Sequence, residues 1–209
     1  MNEHLDQLKE IRILMERSSK FLSLSGLSGV SAGIIALFAA LLVYFKKEKI
    51  VHSGAFLSLF ESSISDSNVD FKNYVLKVSL FTLLAALLSG LYFTLNKAKK
   101  NNQHVWNNLS KALLINLSIP LIAGGFFILG MMNHGLLGLA PSATLVFYGL
   151  ALINASKYTV RDVFYLGICE IVLGILSMFL TGFTLLFWAL GFGILHILYG
   201  TIMYFKYDK

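Results

Sequence analysis

Three ionisable side chains, Lys77, Glu170 and His196, fall inside long apolar stretches of this 209-residue chain. At a helix centre in lipid, a Lys or Asp costs at least roughly 2.5–3.5 kcal/mol, so such a group needs a partner, a cavity or a route to the interface. Lys77 lies only a few residues from the end of its apolar run, and its stem can carry the ammonium to the interface. Glu170 and His196 lie too deep for that. Together a carboxyl and an imidazole can lock two helices, exchange a proton, or act as acid and base. Acid–base catalysis is the weakest of the three. No metal set or cofactor motif accompanies the pair, since the chain contains no HExxH, CxxC, P-loop or GxGxxG pattern. No catalytic, metal or cofactor site is therefore expected. The other histidines (His4, His52, His104, His134) fall outside the apolar cores, and Cys169, the single cysteine, reads as a small hydrophobe. What remains is a candidate intramembrane polar pair, Glu170 and His196.

The elements that hold this pair follow from composition. Hydrophobic residues make up 56% of the chain and charged residues 13%, about half the charged share of a soluble domain. Mean hydropathy is +0.72. Six stretches, 21–45, 74–95, 112–132, 136–154, 163–181 and 183–205, are long enough to cross roughly 30 Å of hydrocarbon. They must be helices, because runs such as Ala85-Ala86-Leu87-Leu88 lack the alternation of a barrel strand. The predicted fold is an all-α integral membrane protein, a single domain over 21–209 whose six spans form three hairpins. Residues 1–20 precede it as an amphipathic cytosolic helix, with Leu5, Leu8, Ile11 and Met15 at helical spacing.

Orientation is read from Lys and Arg outside the spans. With the N-terminus cytosolic, that side carries Lys9, Arg12, Arg17, Lys20, Lys97, Lys99, Lys100, Lys111, Lys157, Arg161, Lys206 and Lys209. The other side carries Lys46, Lys47, Lys49 and Lys72. Both termini are expected in the cytosol, in the plasma (inner) membrane of a bacterium. The net charge of +6 is then a topology signal. No nucleic-acid partner is expected, because no reading module accompanies the charge. The external loop 46–73 contains an apolar stretch over 50–57 that could lie in the interface or re-enter the bundle. Glu61, Asp66 and Asp70 follow without the fixed spacing of a cation loop.

Two patterns bear on packing. Tyr148-Gly149 and Tyr199-Gly200 recur at an offset of 51, each followed by an apolar tail and Lys-Tyr, which suggests a duplicated hairpin. Ser25, Gly29 and Gly33, at four-residue spacing, form a seam at which another helix can approach closely. The partner is either another span or a second subunit, so a homo-oligomer or a membrane-protein partner is expected through span 1 or the N-terminal helix, besides the lipid bilayer itself. Pro120 and Pro141 should kink spans 3 and 4. The carbonyls they free need partners. Asn116 and Asn154 lie near the cytosolic ends of those spans and could cross-bond there.

Geometry favours Glu170 and His196 meeting. With the turn between spans 5 and 6 near 181–182, the two residues lie about 17 and 22 Å below it, at roughly 1.5 Å per residue. Gly167, Glu170, Gly174 and Ser177 share one stripe of span 5, and Ala189, Gly193, His196 and Gly200 one stripe of span 6. The function class expected is a non-catalytic assembly or regulatory protein. The alternative is a small proton-linked transporter or channel subunit built on the pair, with a membrane-embedded enzyme behind both.

Overall fold

The computed structural model describes residues 25–52, 66–101 and 106–208. The expected amphipathic helix over 1–20 lies outside these residues, as do Glu61, His4 and His104. Among the described residues there is no strand. Six helices among the described residues are long and apolar enough to cross a membrane. We label them α1 (Gly26–His52), α2 (Asp66–Lys100), α3 (Asn108–Asn133), α4 (Ala140–Ala155), α5 (Asp162–Phe179) and α6. The last is continuous through Thr184–Trp188, a π-helical stretch Ala189–Leu195, His196–Met203 and a π-helical end, Tyr204–Asp208.

Local chemistry sets several boundaries. Asn107 caps α3 through its Oδ1, which accepts from the Ser110 backbone N–H, while the Ser110 hydroxyl accepts from the Asn107 N–H. α3 ends in a Schellman turn. Gly135 takes φ +77, and the N–H groups of Leu136 and Gly135 donate to the Met131 and Met132 carbonyls. A short 3₁₀ turn, Leu137–Leu139, then delays the start of α4.

Three sequence expectations change here. Pro141 stands in the first turn of α4, where its missing N–H costs nothing, so it starts that helix instead of kinking it. α1 continues to His52 and α2 begins at Asp66, so much of the expected 46–73 loop is helix. α2 also runs past its apolar core to Lys100, because beyond the hydrocarbon a polar helix end is simply solvated. Pro120, by contrast, does lie inside α3. It cannot donate to the Asn116 carbonyl one turn earlier. Asn154 Nδ2 donates to that carbonyl at 3.2 Å, so the vacancy is filled from α4.

α2 rests on α1, α1 on α6, α5 on α4, and α4 on α3. α6 touches α4 and α5 as well, joining the two groups. Several of these helices meet closely at glycines. A Cβ on Gly149 would meet the Gly167 carbonyl oxygen at 2.6 Å, and one on Gly33 would meet that of Gly193 at 2.6 Å. In both cases the next obstacle is the Cγ1 of an isoleucine four residues beyond the facing glycine, Ile171 or Ile197, at 2.7 Å. The same device, a glycine facing Gly-xxx-Ile, thus joins α4 to α5 and α1 to α6.

Candidate functional site

Glu170 is fully buried, with no exposed surface, and His196 nearly so. Their partners are set by which faces of α5 and α6 are already used. Gly167 and Gly174 of α5 turn toward α4, where Gly149 and Val146 meet them, and the Ser177 hydroxyl lies 2.8 Å from that of Ser142. Gly193 and Gly200 of α6 turn toward α1, against Leu37 and Val30. The small-residue stripes of α5 and α6 therefore pack on other helices and not on each other. Glu170 reaches across from the α4–α5 pair to α6, and its Oε1 lies 3.4 Å from His196 Nδ1.

The imidazole is already committed on both sides. Nδ1 lies 3.0 Å from the Gly191 carbonyl oxygen, which can only accept, so Nδ1 carries a hydrogen aimed at that oxygen. Nε2 lies 2.8 Å from the Tyr148 hydroxyl of α4. In the neutral ring Nε2 accepts from that hydroxyl; in the protonated ring it donates to it. Phe192 stacks on the imidazole with ring centroids 5.8 Å apart and planes 17° apart.

Glu170 is the odd member. Both its oxygens are buried and neither has a hydrogen-bond partner among the described residues. The approach to Nδ1 is close in distance, but the hydrogen points to Gly191. A Cβ at Gly191 would stand 2.5 Å from Glu170 Oε2, so the carboxyl lies against bare backbone. That backbone belongs to the π-helical stretch Ala189–Leu195. Such stretches are rare and frequently occur at functional sites.

A carboxylate with no hydrogen bond in a dry interior is the costly form. Two arrangements escape the cost: a neutral acid beside a neutral imidazole, or an ion pair between the carboxylate and an imidazolium whose Nδ1 lies 3.4 Å from Oε1. They differ in the position of one proton, which the ring accepts at Nε2 because Nδ1 already carries its hydrogen.

The remaining expected positions are spread out. Ser25 donates its hydroxyl to Asp208 Oδ2 at 2.9 Å, and Gly26 N–H donates to the same oxygen at 3.0 Å. Lys97 Nζ lies 2.7 Å from Asp208 Oδ1. The carboxylate thus caps the positive end of α1 and ties it to the last turns of α2 and α6. Gly29 faces the Gly200 Cα, and Gly33 the Gly193 carbonyl. Lys77 and Asp70 are exposed, Asp66 opens α2, and Cys169 is half-buried.

Sequence reasoning missed Tyr148 as a member of this site, although the Tyr148-Gly149 register had singled it out for another reason. The Gly191 carbonyl was missed as well. Its one signal is the glycine on either side of Phe192. No family model, curated protein or solved structure matches the chain.

Proposed function

We propose that the chain is a multi-pass protein of a bacterial plasma (inner) membrane, with both termini cytosolic, that serves a non-catalytic assembly or regulatory role. In this reading Tyr148, His196 and Glu170 fasten α4, α5 and α6 to one another. One observation carries it: each nitrogen of the buried His196 ring is already spoken for, one by its own helix and one by Tyr148. That is how a histidine is used as a clasp. A general base would need a nitrogen left for substrate. The open cleft beside this region is lined by apolar side chains, including Ile168, Val172 and Leu190, which offers no polar path to a solute.

A second reading, proton-linked transport, draws on the two unpartnered oxygens of Glu170, which can take up or release a proton without breaking an existing bond. Glu170→Gln separates the two, because the amide keeps the shape but cannot titrate. As a clasp, Glu170→Gln folds and functions normally while Glu170→Leu loses stability. For transport, Glu170→Gln folds normally and abolishes proton flux in proteoliposomes that the unaltered chain supports.

Sidedness is tested with single cysteines on a Cys169→Ser background. Asp70→Cys should react with an impermeant thiol reagent in intact cells, and Lys99→Cys only after lysis. The reverse pattern rejects the orientation.

A further inference from the structure

The glycine contacts that bind α5 to α4 and α6 to α1 have a consequence for the gap between α5 and α6. Each helix leans toward its own partner, and on the outer side a cleft of about 360 Å³ stays open. That size is within the range of small-molecule sites, roughly 300–1,000 Å³. Ile168, Cys169 and Val172 line it from α5, and Leu190, Ile194 and Leu195 from α6. On α5 the lining continues a helical stripe, Arg161, Tyr165, Ile168, Val172, at spacings of four, three and four residues. Arg161 and Tyr165 are exposed, and the guanidinium stands over the Tyr165 ring, 5.7 Å from its centroid. Ile168 lies about 10 Å along the helix from Arg161. The nearby acid, Asp162, is engaged by Lys206 Nζ at 3.0 and 3.1 Å and by the Tyr207 hydroxyl at 2.7 Å.

From this arrangement we infer that the cleft is a binding site for an anionic phospholipid, one acyl chain lying between α5 and α6 and the headgroup phosphate meeting Arg161. Apolar lining matches the chain, the cation about 10 Å beyond the cleft on the same helix face matches the phosphate, and the tyrosine between them suits the interface, where aromatic rings sit at headgroup level. Basic positions between spans on the cytosolic side bind anionic headgroups by this chemistry. The inference rests on the multi-pass reading above. Carbonate extraction of membranes tests that reading separately, since a protein released by carbonate would sink it whatever lipid is found.

The experiment is native mass spectrometry of the full chain, purified in a mild detergent with equal phosphatidylglycerol and phosphatidylcholine. The unaltered chain should retain one lipid, mainly phosphatidylglycerol. Arg161→Gln should lower the ratio of the two lipids roughly fivefold, the effect of one basic residue at a membrane surface. The Arg161 side chain makes no cap hydrogen bond, so this variant should fold. Ile194→Trp fills the cleft and should lose both lipids at an unchanged Tm. Three results would overturn the proposal: no retained lipid, no preference for the anionic one, or a preference that survives Arg161→Gln. A dimer without lipid that Ile194→Trp disrupts would also overturn it, with a second copy covering the cleft.

Discussion

Glu170 Oε2 occupies the space that a side chain at Gly191 would need: a Cβ there would stand 2.5 Å from the carboxyl oxygen. The close approach joins a buried acid on α5 to the π-helical part of α6, and a side chain at position 191 would have to displace the carboxyl.

Gly191→Ala should therefore destabilise the protein by about 1–3 kcal/mol, the usual cost of overpacking. Glu170→Ala removes one of the two groups in the way, the other being Leu145 Cδ2 at 2.5 Å, so the double variant should lose less than the two single losses added together. Thermal melting in detergent reads both quantities. Full additivity would show that the two positions do not share this space.

The α1–α6 seam gives a second expectation. Gly33 faces backbone, the Gly193 carbonyl oxygen at 2.6 Å, and a carbonyl cannot step aside as a side-chain tip can. Gly33→Leu should force the helices apart and lower Tm without changing the mass of the purified particle, because the contact is within one chain. Gly90→Ala and Gly125→Ala, where nothing lies within 4 Å, are the controls and should melt as the unaltered protein does.

Asn154 and Pro120 should be coupled through the Asn116 carbonyl. Asn154→Leu leaves that carbonyl without its side-chain donor, a loss of about 0.6 and at most roughly 1.7 kcal/mol by comparison with other interhelical bonds in membranes. In a Pro120→Ala background the backbone N–H at 120 can serve the same carbonyl. Asn154→Leu should then cost less, and an equal cost in both backgrounds would refute the link.

Two ion pairs at the same end of the bundle should behave differently. Lys97 and Asp208 have side chains only 9% and 8% exposed, and removing one partner of a buried pair costs about 3–5 kcal/mol. Lys206, 54% exposed, pairs with Asp162 near solvent, which is worth about 0–1 kcal/mol. Asp208→Ala should lower Tm far more than Lys206→Ala. Equal effects would mean that Asp208 does not cap α1.

The spans were legible because apolar runs of twenty residues have one use, and Glu170 and His196 stood out because charge is costly there. Other features depend on where neighbours come to rest. Pro141 reads equally well as a kink or as a first turn, and Gly135 and the 3₁₀ turn after it decide for the first turn. The stripes on α5 and α6 were visible, but a stripe of small residues does not name its partner, and here they serve α4 and α1. Tyr148 was hidden among nine tyrosines. The π-helical stretch left no trace beyond Gly191 and Gly193, because the extra residue in a turn is stabilised by tertiary contacts and not by local propensity.

The central claim is that positions 170 and 196 act together to fasten α5 to α6, and a double-mutant cycle measures that most directly. Glu170→Leu, His196→Leu and the double variant would each be melted in detergent beside the unaltered chain. The account predicts that each single change lowers stability and that the double change costs at least about 1 kcal/mol less than the two singles summed, in the range found for residues in one network. If both single variants melt as the unaltered chain does, or if their losses simply add, the two residues form no common site and the account is wrong.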